Sequence, residues 1–464
     1  MCSNFELDNE VIMRIIIVGC GKIGTTIIDS LVSEGHDVVA IDDDNDVVTE
    51  ISNIYDIMCV CGSGADYETL SEAGADKAEM FVAVAGSDEL NMLSCFIAKK
   101  MGAKKTFARI RNPEYNGSGL DFIRSELGIS GAINPEKLCA QEIFNILRLP
   151  GAAKIETFSN RRFEMLELNL KSDSKLDGLS LVEMRKKFQG QYLVSAVQRG
   201  EEVFIPDGNF ILHGGDKIGI MATSQDAQRL FKMLGLQKQA KSVMILGASR
   251  MAFYLAKKLL AGGHEVKIIE RDKRRCEEVS NALPGAVVIC GDGAEQELLM
   301  EEGISRCDAF VSLTGMDEEN ILISIFAASQ DVSKVIAKVS RNELMTMAEK
   351  LGLECTVSPR KTSSDVISTY ARALRNSLGS NVETLYKLMN GKAEALEFKI
   401  QPDFKYVKIP LKDMSLKGNT LIAGIIRGKK IIIPSGNDTV EAGDKVVVMA
   451  TDHRLQDLSD IIEA

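Results

Sequence analysis

The sequence predicts an α/β protein built from two tandem doubly wound parallel sheets, each followed by a small α+β unit. Three observations carry this expectation. The chain repeats itself at an offset of 228 residues. Short apolar runs alternate with amphipathic stretches in both halves, the pattern of a parallel sheet with helical crossovers. A glycine fingerprint follows the first apolar run and opens a helical pattern.

The repeat is read residue by residue. Arg14-Ile-Ile-Ile-Val-Gly-Cys-Gly-Lys-Ile-Gly24 recurs as Ser242-Val-Met-Ile-Leu-Gly-Ala-Ser-Arg-Met-Ala252. Gly35-His36-Asp37-Val38 recurs as Gly263-His264-Glu265-Val266, and Asp42 as Glu270. Between Pro206–Thr223 and Pro434–Thr451, nine of eighteen positions are identical. A period this long marks a duplicated domain pair, because solenoid repeats run to about 20–50 residues. With 464 residues, the chain is too long for one core. Four domains are expected, over residues 13–134, 154–238, 240–358 and 382–464.

In the first large unit the expected strands are Ile15–Val18, Val38–Ile41, Ile57–Val60, Met80–Val84 and Thr106–Ile110. They show no polar alternation, so both faces of the sheet are covered. Helical patterns lie at Ile23–Ser33, Val47–Asn53, Tyr67–Glu72 and Glu89–Met101, and Gly117-Ser-Gly119 reads as a break. After Pro135 a further helix is expected over Glu136–Leu149, placed to pack on a neighbouring unit. The second large unit repeats the strands at Val243–Leu246, Val266–Ile269, Val287–Ile289, Ala309–Leu313 and Lys334–Ala337. The small units show β-like runs at Phe163–Leu170, Tyr192–Gln198 and Lys217–Met221, then Leu421–Ile426, Lys430–Ile433 and Lys445–Met449. Each ends in a helix, Gln225–Met233 and His453–Ile462.

Composition bounds the function. A net charge of −11 argues against a general nucleic-acid or anionic-membrane binder. No apolar stretch approaches the length of a membrane helix, and the N-terminus lacks the pattern of a signal peptide. The ten cysteines are scattered, which reads as free thiols in a reducing cytoplasm.

Gly19-Cys20-Gly21-Lys22-Ile23-Gly24 is a full G-x-G-x-x-G in the context the motif needs. Gly19 serves the tight turn, Gly21 the approach of a pyrophosphate, and Gly24 close packing of helix on strand. Asp42, at the end of the second strand, is placed to accept ribose hydroxyls and to repel a 2′-phosphate, which favours NAD(H) or an adenine nucleotide over NADP(H). The competing reading is that Asp43 or Asp44 simply caps a helix. Ala85 and Gly86 follow the fourth strand on the ligand edge, and Arg109 can reach phosphates. The second fingerprint, Gly247-Ala248-Ser249-Arg250-Met251-Ala252, is degraded at Ser249 and Ala252. Glu270 keeps the carboxylate, Asp292 follows the third strand, and Lys338 takes the place of Arg109. The two sites are expected to differ in ligand or affinity.

Neither a catalytic residue nor a metal cluster emerges. None of the four histidines pairs with a carboxylate at a recognisable spacing, and no Walker loop or nucleophile elbow occurs. An oxidoreductase with fused dinucleotide domains is the rival reading, disfavoured on that ground.

The carrying motifs are Ile15–Gly24, Glu72-Ala-Gly-Ala-Asp76, Phe81-Val-Ala-Val84 with Ser87-Asp-Glu89 and Asn91, Ala108-Arg-Ile-Arg111, and Gly291-Asp292. The small units add Ile205-Pro-Asp-Gly208 with Gly214-Gly-Asp216, and Ile433-Pro-Ser-Gly436 with Ala442-Gly-Asp444. With these the chain resembles, from about Met13 to its end, the peripheral subunits of Trk-type potassium uptake systems. Their domains are of the regulator-of-potassium-conductance (RCK) type. The resemblance implies Rossmann-like lobes that bind NAD(H) and adenine nucleotides (ATP, ADP). It also implies a homo-oligomeric, tetrameric ring without a membrane span of its own, docked on the cytoplasmic face of a membrane-embedded potassium-conducting subunit. By motif position the first site is Gly19 to Ile23, Asp42, Ala85, Gly86 and Arg109, and the second is Gly247 to Met251, Glu270 and Asp292. A regulator of a potassium efflux antiporter is a further alternative.

Overall fold

The computed structural model describes residues 12–115, 117–149, 151–158, 163–236, 240–376, 382–451, 455 and 457–463. The chain divides into two compact units, one of residues 1–138 and 359–380, the other of residues 139–358 and 381–464.

In the first unit, β1 (Arg14–Val18), β2 (Asp37–Asp42), β3 (Met58–Cys61), β4 (Met80–Ala83), β5 (Lys105–Arg109) and β6 (Gly131–Ile133) form one sheet in the order β3-β2-β1-β4-β5-β6. All pairs are parallel. Ile15, Ile16 and Ile17 are fully buried, and alternate strand residues enter two separate cores on the two faces. That is why these strands are apolar at every position. The chain reverses direction across the sheet between β1 and β4, which opens a crevice at their carboxyl ends.

Gly117 stands between two elements, the single turn Pro113–Tyr115 and a helix that takes in Ser118 and Gly119. It lies at φ +69° and precedes a helix, Ser118–Leu127. The outer layer on one face is completed by a segment the sequence did not single out, the helix Pro359–Asn376. Its Ile367 and Ala371 share a core with Ile27, Ile28 and Leu31 of the helix Lys22–Ser33. The Ser364 hydroxyl donates to the Thr26 carbonyl at 3.1 Å, and the Ser30 and Ser368 hydroxyls meet at 2.9 Å. Arg372 donates to both Glu34 carboxylate oxygens at 2.6 and 2.9 Å.

The second unit opens with the body of the helix Pro135–Arg148. Cys139, Ala140, Ile143, Ile146 and Leu147 form one stripe and are buried with Leu255, Ala256 and Leu259 of the helix Arg250–Ala261. The expected neighbour-packing of this helix is thus seen, on the second sheet. A five-stranded antiparallel sheet follows: β7 (Lys154–Phe158), β8 (Phe163–Asn169), β9 (Tyr192–Arg199), β10 (Glu202–Phe204) and β11 (Lys217–Thr223), ordered β10-β9-β11-β8-β7. Next comes a parallel sheet of β12 (Ser242–Leu246), β13 (Glu265–Glu270), β14 (Val287–Cys290), β15 (Ala309–Ser312), β16 (Lys334–Lys338) and β17 (Thr356–Val357), ordered β14-β13-β12-β15-β16-β17. The last sheet holds β18 (Val382–Leu388), β19 (Ala393–Lys399), β20 (Thr420–Arg427), β21 (Lys430–Ile432) and β22 (Lys445–Ala450), ordered β18-β19-β22-β20-β21.

The two antiparallel sheets share a core of Phe158, Phe163, Met165 and Met221 with Leu388, Met389, Val447 and Met449. Bulges at Gly219 and Gly424 leave room for it: a Cβ on Gly424 would stand 2.1 Å from the Phe163 ring. In the repeated Gly-Asp-Lys turns, Asp216 is buried and accepts Arg199 at 2.8 Å through each oxygen, and Asp444 does the same for Arg427. The expected last helix is, in its described part, a single turn over Leu458–Ile461; His453 lies outside the described residues.

Two outcomes are expected. The Arg372–Glu34 side chains are 7% and 12% exposed, so Glu34→Ala removes the carboxylate that holds a buried guanidinium and destabilises the first unit by about 3 kcal/mol. Denaturant unfolding checks this. His36, 7% exposed with neither ring nitrogen hydrogen-bonded, has its pKa pushed down to about 4, chiefly by burial. Glu34 opposes that shift, and Arg375 and Arg372 add to it. Above the unfolded value of about 6.5 the ring is neutral in both states. As pH falls from 6.5 to 4 only the unfolded chain binds the proton, so stability drops, by up to about 3 kcal/mol. His36→Gln removes that slope in unfolding curves measured across the window.

Candidate nucleotide-binding sites

Both crevices are built from the same parts. Gly19 follows β1 at φ +90°, and a Cβ there would lie 2.6 Å from the Ala85 backbone; Gly247 follows β12 at φ +87°. The turn is pinned by the carboxylate at the end of the neighbouring strand. Asp42 accepts the Cys20 N–H at 2.6 Å with one oxygen and the Asp44 N–H at 3.0 Å with the other. Glu270 accepts the Ala248 N–H at 2.7 Å and the Asp272 N–H at 2.9 Å. Asp44 and Asp272 meanwhile cap the following helices. Helix capping and the carboxylate role therefore belong to different residues of the same turn.

The glycines of the first fingerprint separate by geometry. A Cβ on Gly24 would stand 1.9 Å from the Gly19 carbonyl oxygen, so that glycine is required by helix-to-strand packing. A Cβ on Gly21 would meet nothing within 4 Å. Nothing in the protein requires glycine there, and the open space is where a phosphate would approach. Gly21 caps the helix Lys22–Ser33 without a side-chain bond, leaving its first N–H groups available to an anion. In the second copy Ser249 is the cap, and its hydroxyl accepts the Ala252 N–H at 3.3 Å.

Across the crevice stand the loops after β4 and β15. Arg109 donates to the Ala85 carbonyl at 2.5 Å, and Arg111 to that of Gly86 at 3.1 Å. Burial, reinforced by Arg111, lowers the Arg109 pKa from its usual value, while Glu136 and Asp88 oppose the shift. Lys338 donates to the Thr314 carbonyl. Asp292 holds its own turn by accepting the Ala294 N–H at 2.9 Å. The second crevice encloses a cavity of about 230 Å³ lined by Gly247, Ser249, Glu270, Arg271, Asp292 and Thr314, among others. Of the expected site residues, Cys20, Ala248 and Met251 bury their side chains in the cores, so only their backbones can face a ligand, and Ile23 is half-buried against the same core. Lys22 and Arg250 are exposed at the helix starts.

Sequence reasoning gave no structural role to a pair of scaffolding residues. Asn91 is fully buried and its amide donates to the carbonyls of Ala85 and Arg109 at 3.1 and 3.0 Å, tying β4 to β5. Asn320 does the same for Thr314 and Lys338. Asp88 accepts the N–H groups of Arg111 and Asn112, and Asp317 those of Ser340 and Arg341. The signal was the recurrence of Asp88-Glu-x-Asn91 as Asp317-Glu-x-Asn320.

Two parallel sheets, each with a glycine turn and a pinned carboxylate at its switch point, define a tandem Rossmann-type protein with a small antiparallel unit after each sheet. The TrkA-N domain model matches residues 15–135 and 243–359, and the TrkA-C domain model matches 165–235 and 395–463. The chain belongs to the TrkA family. It is 32% identical over 449 residues to a Trk system potassium uptake protein TrkA homolog of Archaeoglobus fulgidus, covering 97% of this chain and 100% of that one. It is 30% identical over 443 residues to the TrkA of Vibrio alginolyticus, covering 94% and 95%. The fold is shared with the GsuK RCK domain, at a TM-score of 0.63 and 16% identity over 97% of this chain and 95% of that one, and equally with a GsuK channel bound to NAD over 97% and 79%.

Gly24→Ala is expected to destabilise the first unit by more than about 2 kcal/mol, since the intruding methyl meets backbone that cannot yield. Gly21→Ala is expected to leave the melting temperature within a degree or two. Paired thermal unfolding curves check both.

Proposed function

We propose that this protein is the nucleotide-sensing regulatory subunit of a Trk-type potassium uptake system. The observation that carries the reading is the first crevice: a helix start with no side-chain cap, beside open space at Gly21 and a carboxylate fixed at the end of β2. That combination suits a ribose and a phosphate together. Gly19, Cys20, Gly21, Lys22 and Ile23 supply the turn, Asp42 the ribose contact, and Ala85, Gly86 and Arg109 the opposite wall. NAD(H) and the adenine nucleotides are the ligands this geometry favours. The second site comprises Gly247, Ala248, Ser249, Arg250, Met251, Glu270 and Asp292. The large domains are assigned to residues 13–134 and 240–358, and the small ones to 154–238 and 382–464.

Family membership supports a membrane-embedded potassium-conducting partner and a homo-oligomeric ring on its cytoplasmic side. Among the described residues no helix is long and apolar enough to cross a membrane, and no group of three or more acidic, histidine or cysteine side chains could hold a metal. The mechanism is differential binding rather than catalysis. A nucleotide biases the pore only by binding one ring conformation better than another, and a ten- to hundredfold preference is worth about 1.4–2.7 kcal/mol of coupling.

Calorimetric titration of NADH, NAD, ATP, ADP and NADPH, followed by potassium flux with the membrane subunit, tests this. Asp42→Ala is expected to weaken first-site binding at least about tenfold, the loss of a charge-assisted hydrogen bond, and to blunt the nucleotide response of flux. NADPH is expected to bind poorly. Unchanged binding in Asp42→Ala would remove the ribose assignment, and flux indifferent to every nucleotide would remove the sensing role.

A further inference from the structure

The second parallel sheet sets two thiols against each other beside its carboxylate. Val288 and Cys290 lie on one face of β14. On that face Val288 packs with Val279 and Leu283 of the helix Lys273–Ala282. Cys276 sits one turn before Val279 on the buried side of the same helix. Its Sγ donates to the Glu270 carbonyl at 3.2 Å, the oxygen that also accepts the Gly291 N–H at 2.9 Å. Glu270 and Cys290 are register partners across β13 and β14. Helix and strand thus bring the Cys276 and Cys290 thiols into hydrogen-bond contact. Cys276 is buried and Cys290 is exposed.

The first sheet has half of this arrangement. Cys61 ends β3, is exposed, and pairs in register with Asp42 as Cys290 does with Glu270. In the matching helix, Asn45–Ile54, Val48 stands in the place of Cys276, counted from the caps Asp44 and Asp272. Packing at that helix position therefore accepts valine and does not call for a thiol. One chain carries an exposed cysteine facing a second thiol, and an equivalent cysteine facing a valine position.

We propose that Cys276 and Cys290 are a redox-active dithiol site whose substrate is a small-molecule disulfide. Cys290, open to solvent, attacks as the thiolate. The S–S bond of the small disulfide breaks, one small thiol leaves, and a mixed disulfide remains on Cys290. Cys276 then gives up its proton and attacks the Cys290 sulfur, expelling the second small thiol. Two electrons and two protons pass from the pair to the small disulfide, and the protein keeps one Cys276–Cys290 bond. Burial above all pushes the Cys276 pKa up to about 12, with the hydrogen bond and charge of Cys290 next and then the charges of Glu270 and Asp272. Capture of Cys290 as a mixed disulfide removes its part of that shift, so Cys276 ionises more readily at the step that needs it. Closure takes the thiol proton from the Glu270 carbonyl and ties the strand end before Gly291 to the helix after Glu270. Glu270, Asp292 and Gly293 line the second cavity, so an oxidant acts on the wall of that crevice and not on the first. Under reducing conditions such a bond is transient rather than structural.

The reduced full chain is equilibrated with mixtures of glutathione and glutathione disulfide, quenched with acid, alkylated and mapped by peptide mass. A linked Cys276–Cys290 peptide is expected, and dithiothreitol reverses it. At a fixed ratio of the two glutathione forms, a tenfold dilution of the mixture is expected to raise the oxidised-to-reduced ratio of the pair about tenfold, because closure releases two thiols for each disulfide consumed. The mixed-disulfide fraction on Cys61 releases one thiol and is expected to stay unchanged. Cys276→Val, the residue of the first copy, is expected to stop Cys290 at the mixed disulfide and abolish its dependence on dilution. Cys290→Ser is expected to leave Cys276 unmodified. Melting curves check the folding of both variants, and where one melts early the dilution dependence of the unaltered chain still decides. A Cys290 that carries only the mixed disulfide in the unaltered chain, as indifferent to dilution as Cys61, overturns the proposal. A linked peptide that joins Cys290 to any other cysteine overturns it as well.

Discussion

The turn after the first strand of each parallel sheet, pinned by a carboxylate from the second strand, is the contact on which the rest depends. A backbone at φ +90° is tolerable only for glycine, and it stays in place because Asp42 or Glu270 holds the next N–H at 2.6–2.7 Å. This bond aims the following helix across the crevice. Gly24 is then forced, since the helix starts almost on top of the turn. The same carboxylate that a ligand would address is thus part of the scaffold, so binding and local order are linked through one side chain.

Strands and fingerprints were legible because they are local. Buried parallel strands must be apolar throughout, and Ile15–Val18 or Val266–Ile269 can hardly be read otherwise. The turn glycines are legible for the same reason, since φ and close approach are properties of a few adjacent residues. What escaped depends on distant partners. The helix Pro359–Asn376 is rich in serine and threonine, and its polarity hides a narrow stripe of Ile367 and Ala371, with the half-buried Leu374, that shares a core with the helix Lys22–Ser33. Its Ser363 and Thr369 hydroxyls bond back to the carbonyls of Pro359 and Asp365, which lets polar residues sit inside a helix. Strands β6 and β17 are too short to show a pattern.

The candidate sites were legible in outline and not in balance. Both carboxylates and both glycine turns lie where the repeat put them. The substitution at Ser249 was visible, yet its consequence was not: a serine in that position could donate to a ligand or cap the helix, and only the geometry shows the hydroxyl turned onto the Ala252 N–H.

The helix that completes the outer layer over the first sheet comes from residues 359–376, more than 300 positions after the helix Lys22–Ser33 it packs against. On the ribosome, the side of the helix Lys22–Ser33 that meets Ile367 and Ala371 therefore stays uncovered until the whole second parallel sheet has been made. The fold thus imposes an order on its own synthesis. The amino-terminal sheet forms early but is sealed late, and any chain released before that helix emerges carries an open apolar face that invites aggregation and quality control.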